Sequence, residues 1–200
     1  MLMKNWFTLI LLCFTLIVQA QEETLIRNIE VVGIFGGPLV EVGSINGEIG
    51  MDVGGGGAIV LNNFFIGGYG LGTDYPRVTL DQEDYRLRFK HGGFWLGYTS
   101  DTRRLLHFYS SARLGWGQAQ IRGDGPAAGT DRVFVVTPEV GFELNVTNFM
   151  RVAFTGGYRA VTGVSNLDVF ENGDFSSPVG TVTFRFGGFS NDWGDINWDF

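Results

Sequence analysis

The sequence predicts an all-β protein: an eight-stranded antiparallel up-and-down barrel of the transmembrane type. Three observations predict it. Apolar and polar residues alternate with period two along the chain, with no convincing helical period after the first twenty residues. Glycine, at 31 of 200 residues, is about twice its usual share and clusters within the alternating runs, as a tightly curved sheet requires. The connections between runs alternate between tight turns and longer loops.

The N-terminus has the layout of a secretory signal over 1–20. Lys4 precedes an apolar run from Trp6 to Val18, which ends in the small-residue site Val18-Gln19-Ala20 before Gln21-Glu22-Glu23. The run falls short of the roughly 20 residues a helix needs to cross a bilayer core. Cys13 follows Leu11-Leu12 rather than a small residue, so it is not a lipidation site. Its removal with the signal leaves no thiol for disulfide, zinc or nucleophile chemistry. The formal charge of -7 argues against a nucleic-acid partner. The rest divides into a periplasmic lead-in over 21–37, one barrel domain over 38–189 and a short tail over 190–200.

Strands are expected near 38–46, 48–61, 64–74, 85–99, 104–118, 133–145, 148–160 and 178–189. In the last, Val182, Phe184 and Phe186 oppose Thr181, Thr183 and Arg185. In the seventh, Met150, Val152, Phe154 and Tyr158 oppose Arg151, Ala153, Thr155 and Arg159. In the sixth, Val136, Val140, Phe142 and Leu144 oppose Thr137, Glu139, Gly141 and Glu143. The fifth sets Leu106, Phe108, Ala112, Leu114 and Trp116 against His107, Tyr109, Ser111 and Arg113. The fourth is less regular: Leu87 and Phe89 alternate with Arg86, Arg88 and Lys90, and a bulge at Gly92-Gly93 is expected to reset the phase before Phe94, Leu96 and Tyr98.

Alternation alone does not say which face points inward; loop lengths do. Asn62-Asn63, Ser100 to Arg103 and Asn145 to Asn148 are tight, and Asn46-Gly47 is a two-residue hairpin signal. The segments 75–84, 119–132 and 161–177 are longer. Short turns on one rim and longer loops on the other mark a barrel whose short turns face the periplasm. A sheet in lipid must close, because an unpaired edge would leave bare N–H and C=O groups. Eight strands leave a lumen that side chains fill. Glu41, Arg88, Arg113, Glu139, Glu143, Arg151 and Arg185 are therefore expected to share that lumen as a structural ion-pair network.

On these residues the sequence resembles the small eight-stranded outer-membrane barrels of Gram-negative bacteria, of the OmpX-like and OmpA transmembrane-domain type. The resemblance covers about 38–189 and is one of architecture. Its most specific piece runs from Gly180 to Phe189, where Val182, Phe184, Phe186 and Phe189 resemble the closing-strand signal that barrel assembly machinery reads. The resemblance implies residence in the cell outer membrane, with outer-membrane lipid and that machinery as partners. The chain departs from the pattern by continuing to Phe200, with Trp193 and Trp198 in the extension. No cell-wall-binding domain is implied.

Chemistry candidates are few. His107 with Ser110 or Ser111 invites comparison with lipid A-deacylating barrels, but His107 and Ser110 fall on opposite faces and no carboxylate is clearly placed to orient the imidazole. A hydrogen-bonded lumen histidine is expected instead, and no catalytic residue is assigned. The other histidine, His91, also lies in an expected strand. Gly54 to Gly57 lacks the Lys-Ser/Thr of a nucleotide loop. Asp81, Glu83 and Asp84, and the tail residues Asp192, Asp195 and Asp199, do not match a calcium loop. No cofactor or metal is expected. Tyr69, Tyr75, Tyr85, Trp95, Tyr98, Trp116 and Tyr158 are candidates for interfacial girdles. The expectation is a non-enzymatic surface protein acting through its loops; the alternatives are a lipid-modifying barrel enzyme and a soluble lipocalin-like binder.

Overall fold

A computed structural model describes residues 30–80, 83–100, 103–122, 129–167 and 170–189. The expected signal segment and the tail after Phe189 lie outside these residues. Eight strands follow in order: β1 Val31–Ile45, β2 Glu48–Leu61, β3 Phe64–Leu80, β4 Glu83–Thr99, β5 Leu106–Arg122, β6 Gly129–Asn145, β7 Met150–Thr162 and β8 Ser177–Gly187. A single helical turn, α1 Asn172–Phe175, precedes β8. Every neighbouring pair is antiparallel, and β8 returns to β1 to close the barrel, with Val40 opposite Val182 and Glu41 opposite Thr181.

The turns explain the register. Asn46 and Gly47 both have positive φ, 51° and 78°, as a two-residue primed turn requires, and they hold Ile45 opposite Glu48. Asn62 at φ 55° reverses the chain between β2 and β3, and the Asn63 side chain donates to the Thr99 carbonyl at 2.8 Å. Between β6 and β7 the Thr147 hydroxyl accepts from the Met150 amide at 3.0 Å. The short rim is thus tied by side chains that substitute for missing ladder bonds.

Three expectations about extent are corrected. Strand β1 begins at Val31, so part of the expected lead-in is barrel wall. The segment 75–84 is no open loop: Val78 pairs with Tyr85 and Leu80 with Glu83, after a register shift between Asp74 and Arg77. Likewise β5 runs to Arg122 and β6 starts at Gly129. Once a ladder has started, each further pair satisfies two backbone groups, and Val78 to Leu80 suit extended backbone. The hairpins therefore outgrow the membrane-sized core.

No bulge occurs at Gly92-Gly93. Both glycines stay in register with Tyr69 and Gly70 on one side and with Gly115 and Trp116 on the other. Strand β4 keeps one phase, so Leu87, Phe89, His91 and Trp95 point inward and are buried, while Arg86, Arg88, Lys90, Phe94 and Leu96 point outward.

The outer wall is apolar. Val140, Phe142, Phe154, Phe94, Ile59, Ile66 and Trp116 are among its exposed side chains. On β5 the apolar outward set runs from Leu106 to Trp116. Ten steps of strand span about 33 Å, which at a tilt near 40° projects to about 25 Å, the height of a bilayer-facing band. Phe184 faces out and Arg185 faces in, with the arginine wholly buried. No described helix is long and apolar enough to cross a membrane.

Candidate functional site: the filled lumen and its outer plug

From the short rim upward, the first lumen layer is aromatic. Phe35, Phe65, Trp95 and Tyr109 meet edge-on or stacked, with Phe35 and Trp95 centroids 5.5 Å apart. Glycine makes room for the Phe65 ring and for the neighbouring Tyr69: a Cβ at Gly97 would collide with the Phe65 ring and one at Gly115 with the Tyr69 hydroxyl. Arg185 enters this cage with its guanidinium 3.8 Å from the Phe35 centroid. There it pairs with Glu143. Glu143 also lies 3.4 Å from Arg151 and 3.7 Å from His107. Arg151 in turn stacks on Phe189 at 4.0 Å.

The second charged layer crosses the lumen from wall to wall. Arg113 on β5 pairs with Glu41 on β1, four strands away, and with Glu139 at 3.1 Å. Ser111 donates to Glu139 at 3.3 Å, and Thr155 does so at 3.3 Å. Arg159 bridges Glu41 at 2.9 Å and Asp52 at 2.6 Å. The network comprises four carboxylates (Glu41, Asp52, Glu139, Glu143) and four guanidiniums (Arg113, Arg151, Arg159, Arg185). Equal numbers matter, because a buried charge persists only when compensated and hydrogen-bonded.

Above this layer the lumen turns apolar. Phe89, Ile45, Ile121, Val133 and Val135 pack with Val164, Leu167, Phe170 and Phe175 from the β7–β8 connection, which folds inward as a plug. Two polar anchors hold it. The Asp131 carboxylate accepts from the amides of Ser165 at 2.8 Å, Asn166 at 2.9 Å and Leu167 at 3.1 Å, and from the Asn166 side chain at 2.6 Å. Arg159 Nε donates to the Phe175 carbonyl at 3.1 Å, joining plug to network. Replacing Asp131 by Ala is expected to leave three amides without their acceptor and loosen the plug by about 1–3 kcal/mol. Limited proteolysis within 163–176 should then quicken while the barrel itself stays protease-resistant.

Of the seven lumen residues expected from sequence, Glu41, Arg113, Glu139, Glu143, Arg151 and Arg185 come together. Arg88 does not: it points outward, because β4 never changes phase. Asp52, Arg159 and His107 were not assigned to the network. Asp52 stands directly opposite Glu41 in the β1–β2 ladder, and as an acid set inside a glycine-rich strand it was the available signal. Among the girdle candidates, Tyr69 and Trp95 are buried in the lumen, while Tyr98, Trp116 and Tyr158 face outward; the side chains of Tyr75 and Tyr85 lie outside the described residues.

The enzymatic arrangement does not form. His107 Nδ1 donates to the Arg104 carbonyl at 3.2 Å from inside the lumen, whereas Ser110 faces out and Ser111 is engaged by Glu139. His91 is held by the Tyr69 hydroxyl at 3.0 Å. A lipocalin-like reading needs apolar groups inside and charges outside, and the ion-pair layers reverse that pattern.

A closed eight-stranded barrel with an apolar exterior and a filled, charge-balanced interior is the architecture of the small outer-membrane barrels. No family model matches the sequence, and no curated protein matches it. Among solved structures the chain is similar to Neisserial surface protein A, with a TM-score of 0.55 at 12% identity over 82% of this chain and 99% of that one. It is also similar to Ail, the attachment invasion locus protein of Yersinia pestis, solved with the heparin analogue sucrose octasulfate, at TM-score 0.47 and 15% identity over 78% and 95% of the two chains. The likeness to the Neisserial protein is one of fold.

Proposed function

We propose that the chain is a non-enzymatic protein of the cell outer membrane that works at the cell surface through the plugged, loop-bearing end of the barrel. One observation carries this reading: the lumen is crossed by Arg113–Glu41 and Arg159–Asp52 and then stoppered by Phe170 and Phe175. A wall-to-wall ion-pair layer under an apolar plug offers no aqueous path. The function therefore falls to the outward end, where the β3–β4 and β5–β6 hairpins and the β7–β8 connection meet solvent. Fold alone does not choose a partner.

The test has two arms. An epitope inserted at Gly173, where an added Cβ would meet nothing, is expected to be stained on intact cells and to fractionate with the outer membrane. Purified protein in planar bilayers is expected to show no steady current. Recovery in aqueous fractions, or ohmic conductance, would defeat the reading. His107→Ala is expected to leave lipid A acylation unchanged; an altered acyl pattern would restore the enzymatic alternative.

A further inference from the structure

The outer wall carries a depression on its β2–β4 side. Where β2, β3 and β4 run side by side, outward-facing glycines stand in register: Gly55 opposite Gly70, and Gly70 opposite Gly92. The next position along that row is Trp116. Beside this row lies a groove of about 790 Å³, floored by Gly70 and Gly72 and walled by Val53, Lys90, Trp116 and Arg132. Lys90 lies over Gly72, where an added Cβ would come within 3.0 Å of its Cγ. The long stem thus uses the glycine as a channel along the wall while its ammonium reaches upward.

Charge distinguishes this groove from the apolar band below it. The described outward side chains of β4 to β6 from Lys90 upward are Arg86, Arg88, Lys90, Gln118, Gln120, Thr130 and Arg132, four basic and none acidic. Lys90 and Arg132 flank Gln118 in one row, about 10 Å apart across two ladder spacings. The cations begin where the apolar set of Phe94, Trp116 and Phe134 ends. Those three rings pack with centroids 6.1 and 5.4 Å apart. An apolar channel, an aromatic wall and two cations at its upper mouth complement an amphiphile with an acyl chain below and an anionic head above.

We propose that this groove binds a phosphorylated lipid of the outer leaflet, one acyl chain lying on the Gly70–Gly72 floor and the phosphate held by Lys90 and Arg132. The inference rests on the membrane placement proposed above. Close approach of chain to backbone supplies van der Waals contact where lipid offers no hydrophobic gain, and the cations supply selectivity for charge.

The experiment uses the full processed barrel in detergent micelles, titrated with diphosphorylated lipid A or phosphatidylcholine and read by native mass spectrometry. Wild type is expected to form a 1:1 adduct with lipid A in preference to phosphatidylcholine. The double variant Lys90→Ala/Arg132→Ala and the groove-filling Gly70→Leu should each weaken that adduct by about tenfold or more. Gly70 suits this purpose because its added Cβ meets nothing within 4 Å, so the barrel keeps its fold. Gly156→Leu, outward-facing on the opposite wall, is the control and should change nothing. Equal adducts across all variants, loss on charge removal without loss in Gly70→Leu, or equal binding of phosphatidylcholine would each overturn the groove. A protein that stays monomeric and soluble without detergent would instead overturn the membrane placement.

Discussion

Replacing Glu143 by Gln is expected to destabilise the barrel by about 3–5 kcal/mol, the cost of leaving buried guanidiniums uncompensated. Glu143 is wholly buried and serves Arg185, Arg151 and His107 at once. Its amide isostere keeps the shape and removes the charge, so the loss reports electrostatics rather than packing. The measurement is the urea midpoint of the heat-modifiable gel band in lipid vesicles, where folded and unfolded barrels migrate differently. The double variant Glu143→Leu/Arg185→Leu should recover much of the loss, because paired removal restores charge balance around an already aromatic cage. Arg151 keeps its place on the Phe189 ring in either case. An unchanged midpoint for Glu143→Gln would mean that the network contributes no stability.

The second large effect lies on the other side of the wall. Val140 faces outward, 59% exposed, and stands opposite Ser110 near the middle of the apolar band. Val140→Arg is expected to cost about 2–4 kcal/mol, the penalty for a cation at bilayer mid-depth. Gln118→Arg, on the same outer face beside Lys90 and Arg132, should cost no more than about 1 kcal/mol, because the interface lies there. Side-by-side folding titrations into vesicles give both numbers. Equal costs at the two depths would refute the band drawn from Leu106 to Trp116.

The two variants test opposite faces of one sheet, and the sequence told those faces apart unevenly. In β5 to β8 the inward face carries Arg113, Glu139, Glu143, Arg151 and Arg185, whose charges contrast with the apolar side chains beside them on the outer face. Six of the seven expected lumen charges came from that contrast and from Glu41. In β2 to β4 the inward face is itself apolar, with Phe65, Leu71, Leu87, Phe89 and Trp95 buried in the lumen. With oil on the inner wall, alternation loses its sign. Outward Arg88 was for that reason read as a lumen charge, and a bulge was invoked to rescue the phase.

The closing strand shows the same division. Val182, Phe184 and Phe186 were readable as an outward stripe, and all three point outward. Phe189 was read with them as part of an assembly signal. In the folded chain it turns into the lumen and stacks on Phe35, with centroids 6.0 Å apart. Its part in assembly is a separate matter from that packing.

By itself, the sequence determined the number of strands, their antiparallel order, the tight turns and the apolar character of the outer wall. Each of these depends on residues close in the chain: period-two alternation, Asn-Gly geometry and strand length. Only the tertiary structure decided which charges meet, because Glu41 and Arg113 are 72 positions apart and Arg159 and Asp52 are 107 apart. Closure alone fixes which residues face each other across the axis. The plug of Val164, Leu167, Phe170 and Phe175 and the glycine groove on the outer wall have the same origin. Neither is a property of any one strand, and both appear only when curvature brings separate strands to a common surface.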